Sequence, residues 1–141
     1  MLQVTNLHVA YGELPALQGV SLKIQPGELV ALVGPNGAGK TTLLKTISGL
    51  LPARAGTVRW QDEAINEASP QRIVERGIAL VPEGRKLFAA MTVRENLELG
   101  AFILRAQKEK FSQLEKIFAL FPRLAQRQRQ RAGSPSGGGQ Q

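Results

Sequence analysis

The chain of 141 residues has no cysteine, which excludes both a disulfide framework and a thiolate metal site. It has a single histidine, His8, in what reads as the first strand, where a structural role is expected. Long apolar runs are also missing. Stretches such as LVALVG (Leu29 to Gly34) are far too short to span a bilayer. The N-terminal MLQVTNLHVAYG lacks a basic stretch followed by an apolar run, so no secretory leader is read there. These absences predict a soluble intracellular protein in a reducing compartment. What remains is 43% hydrophobic and 21% charged, the composition of one ordinary globular domain.

Acidic residues are scarce as well, 11 against 18 basic ones, and the imbalance is local. Between Ile103 and Arg131 eight basic residues face only Glu109 and Glu115, a net of +6 out of the chain's +7. Such a stretch fits nucleic acid, an anionic membrane surface, or simply a solvated helical face. RLAQRQRQR (Arg123 to Arg131) has no aromatic ring on which a base could stack, so no nucleic-acid partner is expected.

The first third reads as short strands: LQVTNLHVAY, then GVSLKI, with QPGE as a turn. ELVALVG is the near-continuous apolar run of a strand buried on both faces. KTTLLKTISGL has helical spacing, with Gly49 as its stop. GTVRWQ reads as a strand at a sheet edge, and IALVPEG as a second buried strand. Ser69 and Pro70 predict the N-cap and first residue of a short helix ending at Gly77. Thr92 to Glu95, TVRE, fits a capping box that launches a mostly helical stretch to about Gln126, broken at Phe121-Pro122. This alternation predicts an α/β fold with a parallel sheet, an antiparallel β annex at the start and a small helical subdomain at the end.

GPNGAGKT, Gly34 to Thr41, matches G-x-x-x-x-G-K-[ST] at every position, between an apolar run and a helical pattern. Glycines let the backbone close on phosphates, and the following helix adds the positive end of its dipole. The pattern assigns Gly34, Pro35, Asn36, Gly37, Ala38, Gly39, Lys40 and Thr41 to nucleotide binding, and the adjoining Thr42 is read with them. Lys40 would reach the β- and γ-phosphates, and Thr41 would ligate Mg²⁺.

The longer run VTNLHVAYGELPALQGVSLKIQPGELVALVGPNGAGKTTLLKTISGLL strongly resembles the ATP-binding domain of ABC transporters. The resemblance implies a P-loop NTPase fold of the ABC type, with ATP and Mg²⁺ as cofactors. It implies that Tyr11 stacks on adenine, with ordinary strand packing as the alternative. It places Glu83, in VPEGR, where most members carry a glutamine that touches Mg²⁺ and the attacking water; a solvated loop carboxylate is the alternative. VPEGR, RKLF and MTVRENLELG resemble one of the two ATPases of branched-chain amino-acid uptake systems, with urea or other amide systems as the runner-up. Residues 83–100 would then meet the membrane permease, at the inner face of the cell membrane, and a second ATPase subunit would close on the first.

SPSGGGQQ, which ends the sequence, resembles the start of the family's signature, LSGGEQQ in this branch. Ser136, Gly137 and Gly138 match its core and would face the nucleotide of the opposite subunit, whereas Pro135 and Gly139 depart from it. A flexible Gly/Ser tail is the other reading. The acidic strand, later aspartate and switch histidine that the family places after its signature are absent from these 141 residues. The expectation is therefore a partial nucleotide-binding domain. Residues 1–92 would form annex and P-loop core, and 93–141 the start of the helical subdomain, with the C-terminal strands missing. Such a chain by itself is expected to lack hydrolysis and, with ELVALVG left without its neighbouring strands, to be marginally stable or to aggregate. A non-hydrolytic ATP-binding or interaction module, or an inactive gene fragment, is the rival reading.

Overall fold

The computed structural model describes residues 1–84, 86–101 and 109–133. The chain divides into two compact units, Met1–Leu80 and Val81–Gln141.

The first unit is built on a four-stranded antiparallel sheet, ordered β2-β1-β3-β4. Its strands are β1 (Leu2–Tyr11), β2 (Leu14–Ile24), β3 (Ala55–Trp60) and the two-residue β4 (Glu63–Ala64). Val4 and Leu7 are three residues apart, which in a regular strand would put them on opposite faces. A register shift between them, with Asn6 at φ 47°, turns both side chains into the core. There they join Val9, Leu17 of β2 and Val58 of β3. Helix α1 (Lys40–Ile47) adds Leu43 and Ile47, and helix α2 (Pro70–Glu75) adds Ile73. The side chain of Asn66 imitates a strand: its Oδ1 accepts from the Val58 N–H at 2.7 Å, and its Nδ2 donates to the Gly56 carbonyl at 3.1 Å.

Local signals were sufficient for the helix ends. Ser69 caps α2, accepting from the Arg72 N–H at 3.4 Å, and Pro70 is its first residue. Gly49 follows α1 at φ 73°, as its stop requires. The expected edge strand β3 is instead internal: β4 pairs with it at Arg59 and Trp60, and Ile65 and Asn66 continue the cover to Val58 and Gly56.

Two further expectations are corrected. The run Leu29–Val33 belongs to no strand, and neither do residues 78–82. Among the described residues the sheet has no parallel pair. A strand buried on both faces needs ladder partners at its edges and layers above and below, and the four antiparallel strands leave none for Leu29–Val33. Leu29 is consequently 98% exposed and Val33 93%.

The second unit holds helices α3 (Val93–Leu99), α4 (Lys110–Leu120) and α5 (Pro122–Gln126). Thr92 and Glu95 form the capping box: Thr92 Oγ1 accepts from the Glu95 N–H at 3.2 Å, and Glu95 Oε2 accepts from the Thr92 N–H at 2.7 Å. The helical stretch breaks at Phe121, φ −126° and ψ 74°, the residue before Pro122. Segment 128–133 runs back along 89–94. The Val93 N–H donates to the Gln130 carbonyl at 2.9 Å, the Arg94 N–H to Gln128 at 3.0 Å, and the Ala132 N–H to Met91 at 2.8 Å.

Candidate nucleotide site

Two glycines shape the loop that precedes α1. The chain turns where the Ala38 N–H donates to the Pro35 carbonyl at 3.2 Å, and Gly37 and Gly39 take φ 86° and 83°. Gly39 has a second constraint that the motif does not advertise. A Cβ there would stand 2.5 Å from Leu17 Cδ2 and 3.0 Å from the Ala16 carbonyl oxygen. The last loop glycine is therefore also the point where the loop rests on β2.

Helix α1 begins at once after it. Gly39 offers no side chain to cap the first-turn N–H groups, and no acidic residue stands in that turn. Uncapped donors at the positive end of a helix favour an anion. Lys40 Nζ donates to the carbonyls of Gly34 and Pro35 at 2.6 and 2.7 Å, which holds its ammonium across the loop. At Gly37 a Cβ would meet nothing within 4 Å. The donor set, a cation plus free N–H groups beside open space, fits a phosphate chain. Thr41 is exposed on the first turn of α1, where its hydroxyl is free to meet a cation brought in by phosphate.

Tyr11 closes β1 next to this helix. The residue is 48% exposed, and its Oη lies 3.4 Å from Thr42 Oγ1. Thr42 is buried, and its carbonyl accepts from Thr46 Oγ1 at 3.0 Å. The structure thus gathers Tyr11, Gly34 to Gly39, Lys40, Thr41 and Thr42 in the first unit. The packed role of Thr42 was not visible in the motif; its signal was a threonine on the helix side that also carries Leu43 and Ile47.

Glu83 lies in the second unit, exposed in a turn. Downstream of it, Asn96 clamps the loop before α3: Oδ1 accepts from the Phe88 N–H at 2.9 Å, and Nδ2 donates to the Phe88 and Thr92 carbonyls at 3.1 and 2.9 Å. Sequence reasoning passed over this asparagine because nothing local marks it. A cavity of about 460 Å³ in the same unit is lined by Met91, Leu99 and Phe111 together with Glu95, Glu98 and Lys110. Glu98 accepts from Lys110 at 2.7 Å and from Arg94 at 2.8 Å, contacts that hold its carboxyl below the usual carboxylate range, Lys110 contributing most. Hydrogen bonds from Thr92, first from its backbone and then from its hydroxyl, lower Glu95 likewise. Among the described residues no three His, Asp or Glu side chains cluster to hold a metal. Ser136, Gly137 and Gly138 lie outside the described residues. Among the described residues no helix is long and apolar enough to cross a membrane.

The ABC transporter family model matches residues 17–141. The high-affinity branched-chain amino acid transport ATP-binding protein BraG of Pseudomonas aeruginosa is 43% identical, over all of this chain and 60% of its own length. The probable branched-chain amino acid transport ATP-binding protein LivF of Archaeoglobus fulgidus is 36% identical, over all of this chain and 59% of its own. The chain thus spans about three-fifths of the length of these relatives. Among solved structures, an ATP-binding subunit of an ABC transporter superposes with a TM-score of 0.84 at 30% identity, covering 99% of this chain and 57% of the other. The dimeric bacterial ABC transporter cassette MJ0796 gives 0.78 at 28% identity, covering 99% and 65%. With a glycine loop closed by its own lysine at the head of an uncapped helix, and a family match that runs through that loop to the last residue, the chain belongs to the ABC transporter family.

Proposed function

We propose that the chain is the nucleotide-binding portion of an ATP-binding subunit that energises uptake of branched-chain amino acids. The observation that carries the reading is the loop Gly34–Gly39, with Lys40 held across it and the bare N-terminus of α1 behind it. The likeness to two branched-chain relatives, over all of this chain, supports the solute class. ATP bound with Mg²⁺ supplies a polyphosphate whose charge the loop must balance. Lys40 would exchange its two carbonyl contacts for phosphate oxygens, and the α1 N–H groups would donate to them. The Thr41 hydroxyl would offer an oxygen to Mg²⁺, and Tyr11 would stack on the base.

Residues 1–92 are read as annex and P-loop core, and 93–141 as the start of the helical subdomain. Ser136, Gly137 and Gly138 would face the nucleotide of a second ATPase subunit, a pairing that the dimeric cassette supports. Residues 83–100 would meet the permease at the inner face of the membrane. The 141 residues by themselves are expected to bind ATP without turnover, since they carry no acidic pair after the signature.

Binding of a fluorescent ATP analogue with Mg²⁺, with phosphate release followed on the same sample, tests the reading. The expected result is saturable binding and no release. Lys40→Ala is expected to weaken binding at least about ten-fold, since charge-assisted bonds contribute about 1.5–3 kcal/mol. Unchanged affinity in that variant would overturn the site assignment.

A further inference from the structure

The part of the basic stretch from Lys116 to Arg131 has no task in the nucleotide site, and the structure shows that it is not a loose solvated tail. Lys116, Arg123, Arg127, Arg129 and Arg131 are all exposed. No acidic residue lies between Lys116 and Arg131. Among the described residues the ion pairs engage Arg54, Arg72, Arg76, Arg94 and Lys110, and none of these five. Their backbone is nonetheless fixed. The Gln128 and Gln130 carbonyls accept from the Arg94 and Val93 N–H groups, the Gln130 N–H donates to Arg127 at 2.8 Å, and Arg94 Nη1 donates to Gln128 Oε1 at 3.2 Å. These charges have no acidic partner among the described residues, an arrangement that favours an external polyanion.

A second feature stands beside the first. At the corner between α4 and α5, Leu120 is 74% exposed and Phe121 is 56% exposed, immediately before Arg123. A surface meant only for water, or for phosphates alone, gains nothing from presenting leucine and phenylalanine in sequence. Arginines next to exposed leucine and phenylalanine are the side-chain set of segments that lie in a lipid headgroup layer. We propose that Leu120, Phe121, Arg123, Arg127, Arg129 and Arg131 form a docking surface for an anionic phospholipid bilayer. The arginines would meet headgroup phosphates, and the corner would enter the acyl boundary. This contact is independent of the nucleotide reading and requires no permease.

Flotation of the 141-residue chain with vesicles tests it, because vesicle-bound protein rises while aggregates sink. The chain is expected to float with mixed phosphatidylcholine–phosphatidylglycerol vesicles and not with phosphatidylcholine alone. Each Arg→Gln change is expected to weaken partitioning about five-fold, so Arg123→Gln with Arg127→Gln gives about 25-fold. The Arg129→Gln, Arg131→Gln pair is a second, independent variant. Phe121→Trp is expected to blue-shift its emission on the anionic vesicles only. Lys40→Ala is expected to float as the parent does, so loss of nucleotide binding and loss of membrane binding are told apart. Equal flotation with neutral vesicles, no loss in either arginine pair, or displacement from vesicles by duplex DNA at equal phosphate would each overturn the proposal.

Discussion

Gly56 sits where β3 passes close against the backbone of β1. A Cβ at this position would lie 2.2 Å from the Asn6 carbonyl oxygen, 2.6 Å from its carbon and 2.7 Å from Leu7 Cα, and φ is 89°. All three are backbone atoms, so no side chain can move aside. Gly56→Ala combines a left-handed backbone penalty with overpacking and is expected to cost about 2–5 kcal/mol. Denaturant unfolding read through Trp60, the only tryptophan and itself in β3, measures it. A loss under about 1 kcal/mol would show that β1 and β3 separate readily. Nothing in the sequence singled out Gly56, because its constraint comes from a chain segment some fifty positions away. The P-loop glycines were legible for the opposite reason: their task is local and their spacing is fixed by the phosphate they would wrap. Even there, the contact of Gly39 with Leu17 and Ala16 became visible only when β2 was in place.

At the scale of elements, helix α3 depends on its cap and on Glu98. Thr92→Ala removes the hydroxyl that accepts from the Glu95 N–H and is expected to cost about 1 kcal/mol, measurable as a lowered unfolding midpoint. Glu95 and Glu98 both have folded pKa values below the 4.5 of the free side chain. Each therefore contributes stability that is complete above that value and is lost as pH falls through the lower folded one. Acid titration of unfolding midpoints is expected to show a steeper loss in the parent chain than in a Glu95→Gln, Glu98→Gln variant. Parallel curves would mean that neither carboxylate supports the folded state. The cap was legible as TVRE since partners three residues apart meet on any helix start. The bond from Lys110 to Glu98 joins two helices, and the Asn96 clamp joins a helix to a preceding loop, so neither had a periodic signature.

Over the whole chain, the P-loop's own approach is the largest departure from what the apolar pattern predicts. ELVALVG carries the composition of a strand buried on both faces, yet composition states only what a segment can bury, not what covers it. Its partners must come from distant sequence, and among the described residues none supplies a ladder. Leu29 and Val33 consequently face water almost completely. Unpaired backbone groups beside exposed leucine and valine are a template for association. The 141-residue chain is expected to bind a hydrophobic dye and to self-associate with rising concentration in sedimentation velocity. Leu29→Lys with Val33→Lys is expected to weaken that association at least about ten-fold, because each side chain contributes about 1.5–3 kcal/mol when buried. The Trp60 signal should stay unchanged in this variant, since Trp60 lies in β3 of the four-stranded sheet, to which Leu29–Val33 does not belong. A parent chain that stays monomeric and dye-silent would show that Leu29–Val33 is covered in solution. The missing cover would then have to be sought within the 141 residues themselves.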